Sequence, residues 1–564
     1  MQANQTAPER EFPSLNKKIK AVQLVFPRLD LSAYEQNKEQ YIELVRRGVG
    51  GFCIFNASAD LCRRAFRELN SFAEIPLLFA CDMEFGTAMR FSDGTAFPRA
   101  GSLGRSGNPG YAYITSKITA LEARSCGIFW NFAPLADVAS NPDNPIIGLR
   151  AFSDNPSEVV KYITAWTNAA KDERMLSCVK HFPGHGDTST DSHISLPVLK
   201  KSLAELSQCE LLPFYFAIKY KVDSIMVGHL AVPALDPSGT PASLSRKIVS
   251  DFLRDKLKYN GIIVTDALDM HSVNAMFEEN ACAFRAIEAG NDVALMPEKP
   301  IDSIDYIEAN IDNLDGEQIE DSFDRLIKAK RFCGLMDGIA NNLPQPPDPQ
   351  QSREIAQRTA EACIRLDGGG GGGGDKNEVI PLVPSDSYTL VCVICSEKLL
   401  PNAVHFSQLL QSKTTNDCDI AFIDNTFSED DADSLQKSIS GTNKLFIAIF
   451  QSPMGYVPKN PVSETATKFL SSLANSRETV LIHFAPDGIG KDIPADLCID
   501  TMSDDASSME VVAGMIAGSG EVGYINNLSE AYRQKRKLEE EIKQEEAERK
   551  KQECRSTTEE IKPS

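Results

Sequence analysis

The stretch that decides the fold is residues 224–266, SIMVGHLAVPALDPSGTPASLSRKIVSDFLRDKLKYNGIIVTD. It begins with an apolar run that ends on His229, and it finishes with a second apolar run, residues 261–266, that ends on Asp266. Between the two, residues 245–258 have the amphipathic spacing of a helix. Apolar runs without alternation are typical of parallel strands that are buried on both faces. This stretch therefore predicts one strand–helix–strand unit of a parallel sheet.

The same unit recurs through the first 300 residues of the chain. Six further apolar runs of strand length lie at residues 19–26, 50–55, 76–82, 128–137, 175–181 and 292–296. Eight strands that alternate with helices predict an α/β fold with an N-terminal (β/α)8 TIM-type barrel over residues 1–340. An open doubly wound sheet is the alternative, because its local order is the same. Several runs end on polar or distinctive residues, which favours the barrel, since barrel active sites collect at the carboxyl ends of strands. These residues are Asp82, Asp137, Lys180, His181, His229, Asp266 and Met296.

A smaller α/β domain with a largely parallel sheet is predicted for residues 352–528, after a Pro-rich linker at residues 341–351. We expect a helix over residues 352–366 and a first strand at residues 379–383. The seven glycines of residues 368–374 indicate a loop between them. The charged tail, residues 529–564, is expected to be a solvated helix or a disordered end.

Composition excludes several classes of protein. A chain of 564 residues with 42% hydrophobic and 24% charged residues is globular, and a net charge of −21 argues against binding nucleic acid. The sequence contains neither an apolar run long enough to span a membrane nor an apolar leader, so we expect no membrane partner and a cytoplasmic location. Fourteen cysteines are too few for a disulfide scaffold. We expect no metal and no cofactor, and a monomer or a homodimer.

The loop at residues 180–193, KHFPGHGDTSTDSH, contains three of the seven histidines of the chain. One interpretation is a metal site formed by these histidines, although Pro183 and Gly184 disfavour the helical spacing of many zinc sites. A second is that the imidazoles serve only to hold the loop together. A third is a catalytic dyad, in which Asp191 orients His193 for proton transfer. The residues alone leave these interpretations open.

This loop closely resembles the signature of glycoside hydrolase family 3, in its bacterial β-N-acetylglucosaminidase branch. Residues 261–270, 132–138, 147–152 and 76–91 are similar to further blocks of that family. The resemblance implies a retaining exo-β-N-acetylglucosaminidase that acts on terminal β-linked GlcNAc, with muropeptides of peptidoglycan recycling as its expected substrates. It assigns Asp266 as the nucleophile and His193, oriented by Asp191, as the acid/base. It places the substrate among Asp82, Arg150, Lys180, His181, His229 and Met296, and it leaves Asp137 a structural carboxylate.

Two alternatives remain at this stage. A neutral imidazole repels an incoming anion less than a carboxylate would, so a phosphorylase on the same scaffold is one of them. The other is a sugar-binding protein without turnover, because two positions depart from the family pattern. Phe85 stands where that pattern has a glycine, and Leu149 stands where it has an acidic residue.

Overall fold

The computed structural model describes residues 12, 14–188, 196–270, 278–339, 342–368, 380–439, 441–451, 462–486, 489–490 and 492–518. The predicted dyad of Asp191 and His193, most of the glycine run and the charged tail lie outside these residues.

The described residues of the first part of the chain contain nine short strands. They are β1 (Val25–Phe26), β2 (Arg28–Asp30), β3 (Gly51–Phe55), β4 (Leu78–Cys81), β5 (Ile128–Asn131), β6 (Leu176–Phe182), β7 (Ser224–Val227), β8 (Ile262–Thr265) and β9 (Ala294–Leu295). Strands β2 to β8 form one sheet in chain order, and every pair in it is parallel.

The sheet closes on itself through its first and last strands. β1, which runs directly into β2, pairs in parallel with β9. A parallel bridge between Val264 and Val293 joins β8 to the segment that leads into β9. The ring therefore has eight strand positions, with β1 and β2 sharing one of them. This confirms the predicted barrel and excludes the open sheet.

Helices surround this ring. They are α1 (Lys17–Val22), α2 (Tyr34–Arg47), α3 (Ala59–Asn70), α4 (Ala100–Arg105), α5 (Gly110–Ser125), α6 (Pro156–Asp172), α7 (Leu203–Gln208), α8 (Leu212–Lys219), the π-helical α9 (Lys247–Lys256), α10 (Cys282–Glu288), α11 (Pro300–Ala309) and α12 (Gly316–Phe332). No helix among the described ranges has the length and apolar character that crossing a membrane requires.

Helix α2 shows how the sequence sets these elements. Its inner face buries Tyr41, Leu44 and Val45 against the barrel, at spacings of one helical turn. Gly48 ends the helix in the left-handed conformation, with φ of +93°, and its N–H satisfies carbonyls of the last turn. Basic residues in that turn complement the helix dipole.

The prediction of a strand over the whole of residues 19–26 is wrong in its first half. Asn16 caps a helix there, accepting the Ile19 N–H at 3.0 Å, and α1 occupies Lys17–Val22. Lys20 of this helix, almost fully buried, pairs with Glu320 of α12 at 2.7 Å. Local capping and this contact with α12 therefore favour the helix over a longer strand.

The second sheet contains β10 (Arg365–Gly368), β11 (Tyr388–Ile394), β12 (Cys418–Asp424), β13 (Lys444–Phe450), β14 (Glu478–Phe484) and β15 (Leu497–Asp500), in the order β10-β15-β14-β13-β11-β12. Among the strands that the structure describes here, only β10 is antiparallel, so the prediction of a largely parallel sheet is confirmed. Its helices are α13 (Pro349–Cys363), α14 (Leu400–Lys413), α15 (Glu429–Ser438), α16 (Glu464–Ala474) and α17 (Ala506–Ala517).

Two elements of this part differ from the prediction. The helix expected over residues 352–366 ends at Cys363, and the chain then forms the edge strand β10. Residues 380–383 are not a strand. Pro381 lacks a backbone donor, and the Leu382 N–H donates to Ile516 of α17 at 2.8 Å rather than to a sheet neighbour.

Cys392 and Cys395 have the Cys-x-x-Cys spacing of many metal and redox sites. Cys392 lies in β11 and Cys395 follows it directly. Three residues apart on extended backbone, their side chains leave the sheet on opposite faces. Each is buried in a different apolar cluster, one on either side of the sheet. This pair therefore cannot bind one ion together.

Largely buried ion pairs join the barrel to the second sheet. Arg99 Nε lies 2.5 Å from Asp504 Oδ1, with side chains only 11% and 5% exposed. Arg105 pairs with Asp500 at the end of β15. Arg99 precedes α4 and Arg105 is its last residue, so this short helix contacts the second domain through charge.

A buried lysine lies in α12. Lys330 is fully buried, and its Nζ donates to Gln23 Oε1 at 2.8 Å. The Gln23 amide in turn donates to the carbonyls of Gly48 and Val49. Burial lowers the pKa of Lys330 to about 7. In the unfolded chain the same amine has a pKa of about 10.4, so the unfolded state binds its proton more tightly.

Stability should consequently rise with pH in this window, and Lys330→Met should remove that dependence. We expect the stabilisation by Lys330→Met to be about 2 kcal/mol larger at pH 7 than at pH 9. Urea unfolding followed by tryptophan fluorescence measures it, because Trp130 and Trp166 both lie in the barrel. Lys328→Met, an exposed position of the same helix, is the control. If the stabilisation by Lys330→Met is the same at pH 7 and at pH 9, the prediction is wrong.

Candidate active site

A cavity of about 580 Å³ opens at the carboxyl ends of the barrel strands, within the usual range for small-molecule sites. Six of the predicted site residues line it, namely Asp82, Arg150, Lys180, His181, Asp266 and Met296. Topology explains the convergence, because the ends of parallel strands in a closed ring face one opening. Arg150 arrives differently, on a short turn of 3-10 helix, Gly148–Arg150, that follows β5.

Four charged residues form a buried array on one wall of this cavity. Lys180 Nζ lies 2.8 Å from Asp82 Oδ1 and 2.8 Å from Glu84 Oε1. Arg150 binds both oxygens of Glu84, at 2.9 Å and 2.7 Å. The Lys180 side chain is 3% exposed and that of Glu84 is 7% exposed. Such charges are stable only because each has opposite partners.

The array holds its carboxylates ionised. Burial alone would raise the pKa of Glu84, but Arg150 and Lys180 hold that pKa well below its usual range. Burial likewise opposes ionisation of Asp82, and Lys180 and Arg90 lower its pKa overall. The two carboxylates present oxygen acceptors to the cavity, which suits the hydroxyl groups of a sugar.

Asp266 lies at the end of β8 and starts a tight turn. Its Oδ1 accepts the Ala267 N–H at 2.8 Å. Burial alone would raise the pKa of Asp266, but His181, His229 and this backbone donor lower it overall. The side chain is therefore an anionic carboxylate on the wall of the cavity, the form that a nucleophile requires.

The structure corrects the prediction that His229 contacts the substrate. His229 is fully buried behind the turn and is not part of the cavity wall. Its Nε2 donates to the Ala267 carbonyl at 2.8 Å, and its Nδ1 lies 2.6 Å from Ser243 Oγ. Both ring nitrogens therefore have protein partners, and His229 supports the backbone beside Asp266.

Asp137 supports His181 in a similar way. It is fully buried, and its carboxylate accepts the Nδ1–H of His181 at 2.7 Å and the His185 N–H at 2.7 Å. Burial opposes ionisation of Asp137, but His181 and His185 lower its pKa. Since Nδ1 of His181 is occupied, its Nε2 is the nitrogen that can meet a ligand.

The segment that leads into the predicted dyad is itself anchored. The Asn144 amide donates to the carbonyls of His185 and Gly186, at 2.8 Å and 3.1 Å. Its Oδ1 accepts the Ile147 N–H at 2.8 Å, on the stretch that ends in Arg150. Asn144 thus joins the two loops. Burial lowers the pKa of His185, which keeps this imidazole neutral.

Several cavity residues were missed from the sequence. Glu84 lies in the block of residues 76–91, and its position two residues after Asp82 is the sequence signal for it. The guanidinium groups of Arg28 and Arg90 both lie over the ring of Phe55, at 4.0 Å and 4.6 Å from its centroid. Arg28, Phe55 and Arg90 have no comparable sequence signal, because they come from different strands and loops.

Asp137→Asn should lower kcat/KM about tenfold or more. An asparagine presents an N–H where the carboxylate accepts N–H groups, so it disturbs both the tautomer and the position of His181. Steady-state kinetics on a chromogenic glycoside measure the effect. Asp154→Asn, at an exposed position, is the matched control. Equal kinetics for the two variants would show that Asp137 does not position His181.

Residues 14–329 match the family model described as "Glycosyl hydrolase family 3 N terminal domain". The chain belongs to glycosyl hydrolase family 3. The match covers the whole barrel, and it confirms the family that the loop at residues 180–193 indicated.

Two curated relatives of this family 3 chain are named as hexosaminidases. A "Beta-hexosaminidase A" of Pseudoalteromonas piscicida is 39% identical over 241 residues, 40% of this chain and 40% of that protein. A "Beta-hexosaminidase" of Idiomarina loihiensis is 32% identical over 291 residues, 50% of this chain and 87% of that protein. A solved family 3 β-N-acetylglucosaminidase from Paenibacillus sp. FPU-7 has a TM-score of 0.77 and 26% identity, and covers 90% of this chain and 98% of its own.

Proposed function

We propose that this family 3 chain is a retaining exo-β-N-acetylglucosaminidase that hydrolyses terminal β-linked GlcNAc. The observation that carries the proposal is the cavity that the anionic Asp266 shares with the Lys180–Glu84–Arg150 array. The names of the relatives and of the Paenibacillus structure support the choice of an N-acetylhexosamine over a plain glucoside.

The proposed reaction has two displacements at the anomeric carbon. In the first, a carboxylate oxygen of Asp266 forms a bond to C1 while the bond from C1 to the leaving oxygen breaks, and His193 gives that oxygen its proton. In the second, water forms a bond to C1, gives its proton to His193, and releases the Asp266 carboxylate. Lys180, Asp82, Arg150 and His181 hold the sugar throughout.

The natural substrate is a separate proposal. GlcNAc-containing muropeptides are favoured by the resemblance of residues 180–193 to the bacterial branch. The thirteen cysteines in the described ranges are free of disulfides, which suits a reducing compartment such as the cytoplasm. Release of GlcNAc from a disaccharide–anhydromuropeptide would support this substrate, and inertness toward it would exclude it.

The deciding experiment uses p-nitrophenyl β-N-acetylglucosaminide with and without phosphate. We expect turnover that does not depend on phosphate, and a first product with the β configuration when the reaction is followed by NMR. An α product would exclude retention. GlcNAc-1-phosphate would indicate a phosphorylase. Binding without turnover, on this substrate and on the glucoside, would indicate a sugar-binding protein.

A further inference from the structure

Phe85 lies on the wall of the cavity opposite the proposed nucleophile. It follows β4 by four residues, whereas Asp266 directly follows β8. In the ring of eight strand positions, β4 and β8 are four positions apart in either direction, so they face each other across the barrel. Both residues line the same cavity. The wall that carries Phe85 therefore limits how far a molecule bound at Asp266 can extend across the cavity.

The Phe85 ring is fixed by a cation. The Arg99 guanidinium lies 4.6 Å from its ring centroid, a distance typical of cation–π contacts. The backbone next to the ring is also held, since the Phe85 carbonyl accepts the Phe97 N–H at 2.8 Å. Gly86, which follows, has φ of +103°, and a Cβ there would lie 2.2 Å from the Thr95 carbonyl oxygen. The turn that presents Phe85 therefore has little freedom to move.

Arg99 is in turn fixed by the second domain. Besides the ion pair with Asp504, the Arg99 N–H donates to Ser503 Oγ at 3.0 Å. Both partners lie in the turn that precedes α17. The second domain thus contacts the catalytic cavity through a continuous chain of three side chains, Asp504, Arg99 and Phe85.

We infer that Phe85, held by Arg99 and Asp504, closes the cavity to sugars that are extended at their non-reducing end. The inference rests on the proposed function and deepens it. When C1 of a pyranose lies at Asp266, its C4 edge points across the barrel, because C1 and C4 are opposite atoms of the ring. A further sugar on O4 would then occupy the place of the Phe85 ring. Phe85 is on this basis a specificity-determining residue, and Arg99 and Asp504 are positioning residues.

The test uses p-nitrophenyl β-chitobioside, in which a second GlcNAc occupies O4. The unmutated protein should release GlcNAc first and p-nitrophenol only after a lag. Phe85→Gly should also release the intact disaccharide with p-nitrophenol and without a lag. We expect the ratio of disaccharide to GlcNAc among the first products to rise at least tenfold, as measured by chromatography. The same test is made with Phe85→Leu, which keeps a smaller apolar side chain in the wall and should change the product ratio in the same direction.

Variants in the second domain separate positioning from general damage. Asp504→Asn should raise the disaccharide ratio in the same direction, although Phe85 is still present. Asp500→Asn is the matched control, because it removes a second ion pair between the described parts of the two domains, the pair with Arg105. Arg105 does not line the cavity. It should leave the ratio unchanged.

The outcomes distinguish the two proposals. An unmutated protein that cleaves neither the chitobioside nor the simple glucosaminide contradicts the proposed function and this inference with it. If the unmutated protein is active and already releases disaccharide, the proposed function stands and the inference is wrong. The same holds if the Phe85 variants release only GlcNAc, or if Asp500→Asn changes the ratio as much as Asp504→Asn does.

Discussion

Asp266→Ala is expected to lower kcat for p-nitrophenyl β-N-acetylglucosaminide by at least about three orders of magnitude. The carboxylate is the group that forms the covalent bond to C1 in the proposed reaction, and an alanine leaves the cavity without a nucleophile. The fold should survive, because the turn at Asp266 is also held by the N–H of this residue, which donates to the Val227 carbonyl at 2.9 Å.

Azide supplies the sharper version of this experiment. In the Asp266→Ala cavity a small anion can take the place of the carboxylate and attack C1 once, which would give the α-glycosyl azide. The unmutated protein should not form that product. Asp251→Ala, an exposed position on α9, is the control and should keep full activity. If Asp266→Ala retains a tenth of the original kcat, another residue must be the nucleophile.

Lys180→Met is expected to have the largest effect on stability, at about 3–5 kcal/mol. The substitution keeps the length of the side chain but leaves Asp82 and Glu84 without their shared cation. The cost comes mainly from carboxylates that lose a partner where water has little access. We also expect the pKa of both carboxyls to rise, so the loss of substrate affinity should be greatest at low pH.

Urea unfolding with tryptophan fluorescence measures the stability change, and KM across the pH range measures the second effect. Lys38→Met is the matched control, because Lys38 pairs with Glu68 at the surface, where both side chains are about a third exposed. Lys38→Met should change the stability and KM only slightly. Similar losses for the two substitutions would show that Lys180 is not the centre of a buried array.

The fold could largely be predicted because buried parallel strands have a distinctive pattern. Runs such as residues 261–266 are apolar on both faces, and no surface requirement interrupts them. The secondary-structure predictions are wrong where a local capping residue, or a partner far along the chain, determines which element forms. Asn16 caps a helix in an apolar run that otherwise has the composition of a strand. The edge strand β10 forms only because β15, more than a hundred residues later, offers it a partner.

The site was partly predictable for a similar reason. Asp82, Lys180 and Asp266 could be placed on the cavity wall because each lies at or near the carboxyl end of a strand, and these ends converge in a barrel. His229 satisfies the same rule and still faces away from the cavity, because Ser243 and the Ala267 carbonyl bind both of its nitrogens. Arg90 and Arg99 belong to loops, and nothing in their own sequence context indicates which strand end they approach.

The way the barrel closes has a consequence for how the chain is made. The pairing of β1 with β9 joins residues that emerge from the ribosome almost at the beginning and the end of the barrel sequence. Until Ala294 is available, the growing sheet has two unpaired strand edges, and such edges readily pair with other chains. Truncations that end before Ala294 should therefore aggregate rather than form a smaller barrel. The nascent barrel exposes these strand edges until its last strand has been synthesised.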